Sequence, residues 1–323
     1  MFAYRTLVYY QRTQSFKLAR FSDFGDINLP HCVAFSPYGR YCAVVYCGFC
    51  VMDSATLTLR RPLISPEKRV VGCAFPPDGG LLAALSLKGK IKLWNMPTGR
   101  LVRSFVVNIP EEYHRAVFSP DGKHIITISR HGTLQMWNVW SGISSHRLEG
   151  TGKVATTPSG LLIAISHQGD KVILFRVAED GTLATVREFE LPTGDTFSYR
   201  RVRCICVASS VRLLTVSRAE PAARIWDLGD IESGATSIGG PAQTTRLEPK
   251  LVCVIKETDE YVFDACISSD GALVAAPIDS GTVKVWNAQT GQLLCRLSSP
   301  PLVCGGAFNP RDSGMLVCVA SGG

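Results

Sequence analysis

The sequence predicts an all-β protein assembled from repeated four-stranded antiparallel sheets. Three observations predict it. A unit of about 42 residues recurs along the chain. Each copy divides into short β-branched or apolar runs separated by Gly, Pro, Asp and Ser turns. In four copies an apolar residue that opens the unit stands at a fixed offset from a later Trp, and two weaker copies fit the same frame. With 323 residues, 46% apolar and 19% charged, the chain can bury a large core, and wholesale disorder is excluded.

One copy shows how the elements follow from the residues. Ala116-Val117-Phe118 is short and apolar and forms a first strand. Ser119-Pro120-Asp121-Gly122 has turn chemistry, with Pro fixing φ and Gly accepting positive φ. His124–Ser129 is β-branched and makes a second strand, which Gly132 ends. Thr133–Trp137 alternates as a third strand, Ser141-Gly142 turns, and Ser145–Leu148 makes a fourth, outer strand.

The same frame recurs. Lys92-Leu93-Trp94-Asn95, Gln135-Met136-Trp137-Asn138, Arg224-Ile225-Trp226-Asp227 and Lys284-Val285-Trp286-Asn287 end four units, and Phe75, Phe118, Val207 and Ile267 open them, 19 residues before the Trp in every case. Thr156 stands 19 residues before Phe175, and Phe35 stands 17 before Met52 across a shorter hairpin. Four short strands per unit at this period select a β-propeller over a sandwich or a barrel. At the ends, Arg5–Tyr10 and Ser15–Arg20 read as third and fourth strands, while Val303–Phe308 and Met315–Ala320 read as first and second. Tyr10 lies 42 residues before Met52, which lies 42 before Trp94. The expectation is one domain over residues 1–323: a seven-bladed β-propeller of four-stranded antiparallel blades. Its anchors fall near 10, 52, 94, 137, 175, 226 and 286, and one composite blade is closed by both termini. The alternative is a fragment cut in mid-blade at both ends. Residues 228–249, rich in Gly, Ser, Thr and Ala, read as a loop insertion between a third and a fourth strand. Extra residues in 191–203 precede an inner strand.

On the Phe118–Gly122 turn, its near copies, and the four Trp-Asn or Trp-Asp dipeptides, the chain resembles the WD-repeat β-propellers as a divergent member. The resemblance covers nearly the whole chain and implies the β-propeller fold; for function it implies little, since one fold hosts many jobs. WD repeats typically carry an Asp six residues before the Trp, in a buried hydrogen-bonded set with His, Ser or Thr, and the Trp. Lys88, His131, Glu220 and Ser280 occupy that position here, with Gly169 in the Phe175 unit. The expectation is that apolar packing holds most of the blades. Leu59-Arg60-Arg61-Pro62 only half resembles the Phe-Arg-Arg-Gly stretch of lipid-binding propellers. Pro97, Trp140, Gly229 and Gln289 stand where cullin-ligase receptors often carry Arg.

The net charge of +7 is mild and dispersed. Arg60-Arg61, Lys88/Lys90/Lys92 and Arg200-Arg201/Arg203 are the densest basic spots. They read either as solvated strand faces or as a phosphate-facing patch. The N-terminus does not read as a secretory signal, no apolar run approaches a membrane span, and 12 irregularly spaced Cys suit a reducing compartment. The expected location is intracellular, in cytoplasm or nucleus. Cys47-Gly48-Phe49-Cys50 has redox or zinc spacing but falls in a strand hairpin with no second pair, so a tight hairpin is the simpler reading. Cys32, Cys73, Cys204, Cys206, Cys266 and Cys304 fall in innermost strands as small filler. His31 and His114 read as structural. No Ser-His-Asp order, carboxylate pair or phosphate-binding loop appears.

Trp140, three residues past Trp137 in a turn, reads as a binding anchor or as local packing. Tyr199 with Arg200, Arg201 and Arg203 is the second candidate protein-binding group. The expected function is a non-catalytic scaffold, a monomeric propeller inside a larger complex with protein partners and no cofactor or metal. The alternative is a propeller that binds a lipid headgroup or RNA through phosphate, and a propeller hydrolase stands behind both.

Overall fold

The computed structural model describes residues 6–12, 15–21, 32–45, 49–56, 58–60, 70–107, 112–157, 160–166, 171–190, 202–207, 212–217, 222–229, 249–256, 265–278, 282–298 and 303–320. All regular elements among them are β-strands, gathered into seven four-stranded antiparallel sheets. The molecule is an all-β propeller of antiparallel sheets. The sheet at Tyr113–Phe118, His124–Ser129, Leu134–Asn138 and Ser144–Leu148 is typical, since its strands pair in simple sequence order. One sheet differs. Its order is Ser15–Phe21, Thr6–Arg12, Asp312–Ala320, Val303–Asn309, with Val8 opposite Val317, so strands from the two ends of the chain share it.

Local chemistry explains the repeated turns. In the first-to-second turn, the Ser119 hydroxyl accepts the His124 N–H at 2.9 Å and donates to the Asp121 carboxylate, while the Gly122 N–H returns to the Ser119 carbonyl at 2.9 Å. Ser268, Asp270 and Leu273 repeat the device. In the third-to-fourth turn, the residue after the Trp caps the bend. Asn95, Asn138 and Asn287 Oδ1 accept the N–H three residues on, from Thr98, Ser141 and Thr290, at 2.8–2.9 Å. The Trp-Asn dipeptide thus joins a core side chain to a turn-forming one.

The core is distributed. Each of seven apolar clusters bridges two consecutive sheets, such as Met315 and Val317 against Cys42, Val44, Cys50 and Met52. That last seam sets the sheet shared by the chain ends against the Cys32–Phe35, Tyr41–Val45, Phe49–Asp53 sheet. Each of the four repeat Trp fills the seam toward the preceding sheet: Trp94 against Phe49 (ring centres 4.7 Å apart, 68° between planes), Trp137 with Ile91 and Leu93, Trp226 with Val172 and Leu174, and Trp286 with Leu214 and Ile225. Burying a side chain of this size contributes roughly 1.5–3 kcal/mol. No sheet is covered on both faces without its neighbours, so stability is shared along the series.

Apolar packing is not the whole account. Trp137 Nε1 donates to Thr127 Oγ1 at 3.0 Å, and Trp226 Nε1 to Thr215 Oγ1 at 2.9 Å, both buried. A Trp–hydroxyl link therefore survives in two sheets that lack the Asp six residues upstream. At the matching place beside Trp94 and Trp286 stand Ala84 and Ala276, which carry no hydroxyl. Two of the innermost cysteines are seam filler: Cys73 packs with Phe49 and Trp94, and Cys266 with Leu316 and Cys318.

The insertion expected at 228–249 lies mostly outside the described residues, which resume at Pro249. Its flanking strands, Ala222–Asp227 and Lys250–Lys256, are third and fourth in their sheet.

Candidate functional site

Because every sheet is antiparallel and four-stranded, first-to-second and third-to-fourth turns lie on one face, and the remaining connections lie on the other. Trp140 sits in a third-to-fourth turn on the first of these faces. Asn138 Oδ1 holds that turn through the N–H groups of Trp140 and Ser141, at 3.0 and 2.8 Å. Val139 goes into the core, and the indole of Trp140 is left 58% exposed. Ile143, closing the turn, is 69% exposed.

The adjoining outer strand of the preceding sheet, Leu101–Val106, completes the surface. Arg103 Nη2 donates to the Ser141 carbonyl at 3.0 Å, and Phe105 packs beneath Gly142, whose φ is 68°. With Arg103 and Phe105 turned toward the Trp140 hairpin, Val102, Ser104 and Val106 are left exposed along the strand. Val102 is pushed out by a register break, since Trp94 pairs Leu101 but Leu93 pairs Arg103. Of the eight large exposed apolar side chains among the described residues, Leu101, Val102, Val106, Trp140 and Ile143 belong to these two touching hairpins. The patch is therefore a single feature of the rim.

Its electrostatics are one-sided. The segments 90–107 and 134–148 contain Lys90, Lys92, Arg100, Arg103, His146 and Arg147 and no Asp or Glu. Lys92 is buried, and Arg147 pairs with Glu149 at 3.3 Å. Neither Arg100 nor Arg103 has a carboxylate within ion-pair distance among the described residues.

The other expected sites resolve differently. Tyr199, Arg200 and Arg201 lie outside the described residues, as do Arg61, His31 and Cys47. Arg203 is on the innermost strand Val202–Val207 of its sheet. Lys88 is exposed, Lys90 half-buried and Lys92 buried, so the three do not make one solvent-facing stripe. Burial pushes the Cys50 thiol up to about 12, which leaves it a poor nucleophile and fits the hairpin reading of that segment. Among the described residues no group of three or more His, Cys, Asp or Glu could hold a metal ion. Ser119, Asp121 and His124 come together, but the serine donates to the aspartate and is fully buried. The same turn forms at Ser268–Asp270 with Leu273 in the histidine's place, so the cluster is a turn device.

Sequence reasoning missed Val102, Val106, Ile143 and Arg103. It also missed Tyr38, 60% exposed on the same face with the Arg311 guanidinium 5.6 Å from its ring centre. The available signal at the rim was Leu101–Val106 itself, an edge strand whose one charge is Arg103.

Residues 58–95 match the family described as WD domain, G-beta repeat. Among solved structures, the chain is similar to the β-propeller domain of Cps50 (Swd1) from Myceliophteria thermophila. The identity is 15%, the TM-score is 0.70, and the match covers 91% of this chain and 99% of that one. That likeness concerns the fold. No curated protein matches the chain. No helix among the described residues is long and apolar enough to cross a membrane.

Proposed function

We propose that this WD-repeat β-propeller is a non-catalytic scaffold that docks protein partners within a larger complex. We read its seven sheets as the blades of one ring spanning residues 1–323, closed by the sheet that both chain ends share. The observation that carries the function is the rim patch at Trp140. A Trp, an Ile and three aliphatic edge residues are held in solvent by a defined turn, and Trp is enriched among the residues that dominate interfaces. The polar cluster in best order is absorbed by turn formation, and this weighs against turnover. An intracellular location, cytoplasmic or nuclear, is supported by the eight described cysteines, which are free thiols in or near apolar seams.

Affinity capture from cells tests the reading, using the wild-type chain, Trp140→Ala, and the triple variant Arg200→Ala, Arg201→Ala, Arg203→Ala. Loss of a defined subset of partners with Trp140→Ala is the expected result. A partner set unchanged in both variants would dismiss both contact sites.

A further inference from the structure

We infer that the Leu101–Val106 edge takes an extended, acidic segment of a partner protein as a fifth strand, with Trp140 and Ile143 gripping one face of that strand. The inference rests on the scaffold reading and names the partner's chemistry.

Leu101–Val106 is the last strand of its sheet, so one row of its N–H and C=O groups has no neighbouring strand. Such an edge is a template for strand addition, and proteins usually guard it with charge. Four other outer strands are guarded. Leu183–Glu190 carries Arg187, Glu188 and Glu190, Lys250–Lys256 has lysine at both ends, Leu293–Ser298 exposes Arg296, and Ser144–Leu148 carries His146 and Arg147. The one charge of Leu101–Val106, Arg103, turns toward the Trp140 hairpin, where its guanidinium donates to the Ser141 carbonyl. The opposite face of the strand carries Val102, Ser104 and Val106 and no charge.

Strand geometry explains why both hairpins are needed. Side chains of an added strand alternate between faces. Those on one face would continue the row of Val102 and Val106. Those on the other would continue the row of Arg103 and Phe105 and meet the Trp140–Ile143 turn that lies on it. The pattern suits alternating apolar residues. The charge preference comes from Arg100 and Arg103, two cations without carboxylate partners among the described residues, in hairpins that contain no acidic residue. A basic segment would be repelled, and an acidic one would supply the missing partners.

The test is selection from a displayed library of random peptides about 12 residues long, followed by binding of the selected peptides in solution. Wild type, Val106→Lys, Trp140→Ala and Arg100→Glu are compared. All three positions are exposed, so folding is preserved, and circular dichroism checks it. The expected peptides alternate Val, Ile or Phe with Asp or Glu and contain no central Pro. Their affinity should fall about thirtyfold with Trp140→Ala and about tenfold with Arg100→Glu, and should be lost with Val106→Lys. Apolar or basic peptides that still require Trp140 would overturn the acidic-strand inference and leave the scaffold reading standing. The same holds if wild type self-associates through this edge, becomes monomeric with Val106→Lys, and selects no acidic peptide. The occupant is then a second copy of the chain. Acidic peptides that bind all four proteins equally would also overturn the inference.

Discussion

Two outer strands of the same propeller, Leu101–Val106 and Leu183–Glu190, occupy equivalent places in sheets separated by one other, yet they meet solvent in opposite ways. Leu183–Glu190 exposes charge, and Glu188 reaches back to Lys171 at 3.0 Å. Its preceding turn is held by Asp180, whose carboxylate accepts the N–H and hydroxyl of Thr182 at 2.9 and 2.8 Å. Leu101–Val106 exposes valines, and beside it the Trp140 turn is held by the uncharged amide of Asn138. One edge carries the features that keep edges solitary. The other lacks them and has a Trp beside it. A uniform fold therefore yields a non-uniform rim.

The largest expected effect separates two indoles three residues apart. Trp137 is buried and hydrogen-bonded, and its replacement by Ala should cost about 3–5 kcal/mol. Trp140→Ala should stay within about 0.5 kcal/mol. Urea midpoints measure both, and a comparable loss for Trp140 would mean that the rim patch is structural. Next is Gly142→Ala. Its φ of 68° suits glycine, and a Cβ there would lie 3.2 Å from Phe105 Cγ. We expect a loss of about 1–2 kcal/mol together with weaker binding at Trp140. A neutral result would show that the contact between the two hairpins is loose.

Acid should act on one rim only. The backbone N–H of Thr182, and then its hydroxyl, hold the Asp180 carboxyl below its ordinary 3.8. A depressed carboxylate stabilises the fold above its unfolded-state value, and that contribution is lost as pH falls through the lowered folded-state value. Amide exchange followed from about pH 5 to pH 2 should therefore loosen Thr182 first and leave Ser141, bonded to Asn138, unaffected. Equal loosening of both turns would remove that distinction. The smallest effect belongs to Lys171→Ala. Its ion pair with Glu188 is about half exposed, so thermal unfolding should register under about 0.5 kcal/mol.

Some of this was legible from residues alone. The spacing of Tyr10, Met52 and Trp94 places Thr6–Arg12 in phase with the internal third strands, and that strand pairs with Asp312–Ala320. The Asn after each Trp was visible, and its turn-capping role follows from ordinary side-chain chemistry. The Trp–Thr links were less legible. The missing Asp six residues upstream carries no hint of Thr127 and Thr215, which stand on the neighbouring strand. Trp140 could be singled out as an oddity, but its neighbours could not. Val102 and Val106 look like the residues of any half-buried strand, and only their place at the outside of a sheet, with a register break at Val102, exposes them. The local sequence fixes a residue's strand, whereas the order of strands in the sheet fixes what that residue faces.

The most direct measurement is hydrogen–deuterium exchange across the chain, with and without a saturating acidic peptide from the selection. An added fifth strand should slow exchange in Leu101–Val106 and in the 139–143 turn, and leave Leu183–Glu190 unchanged. Protection confined to another edge, or none in Leu101–Val106 while the peptide is bound, would contradict the account.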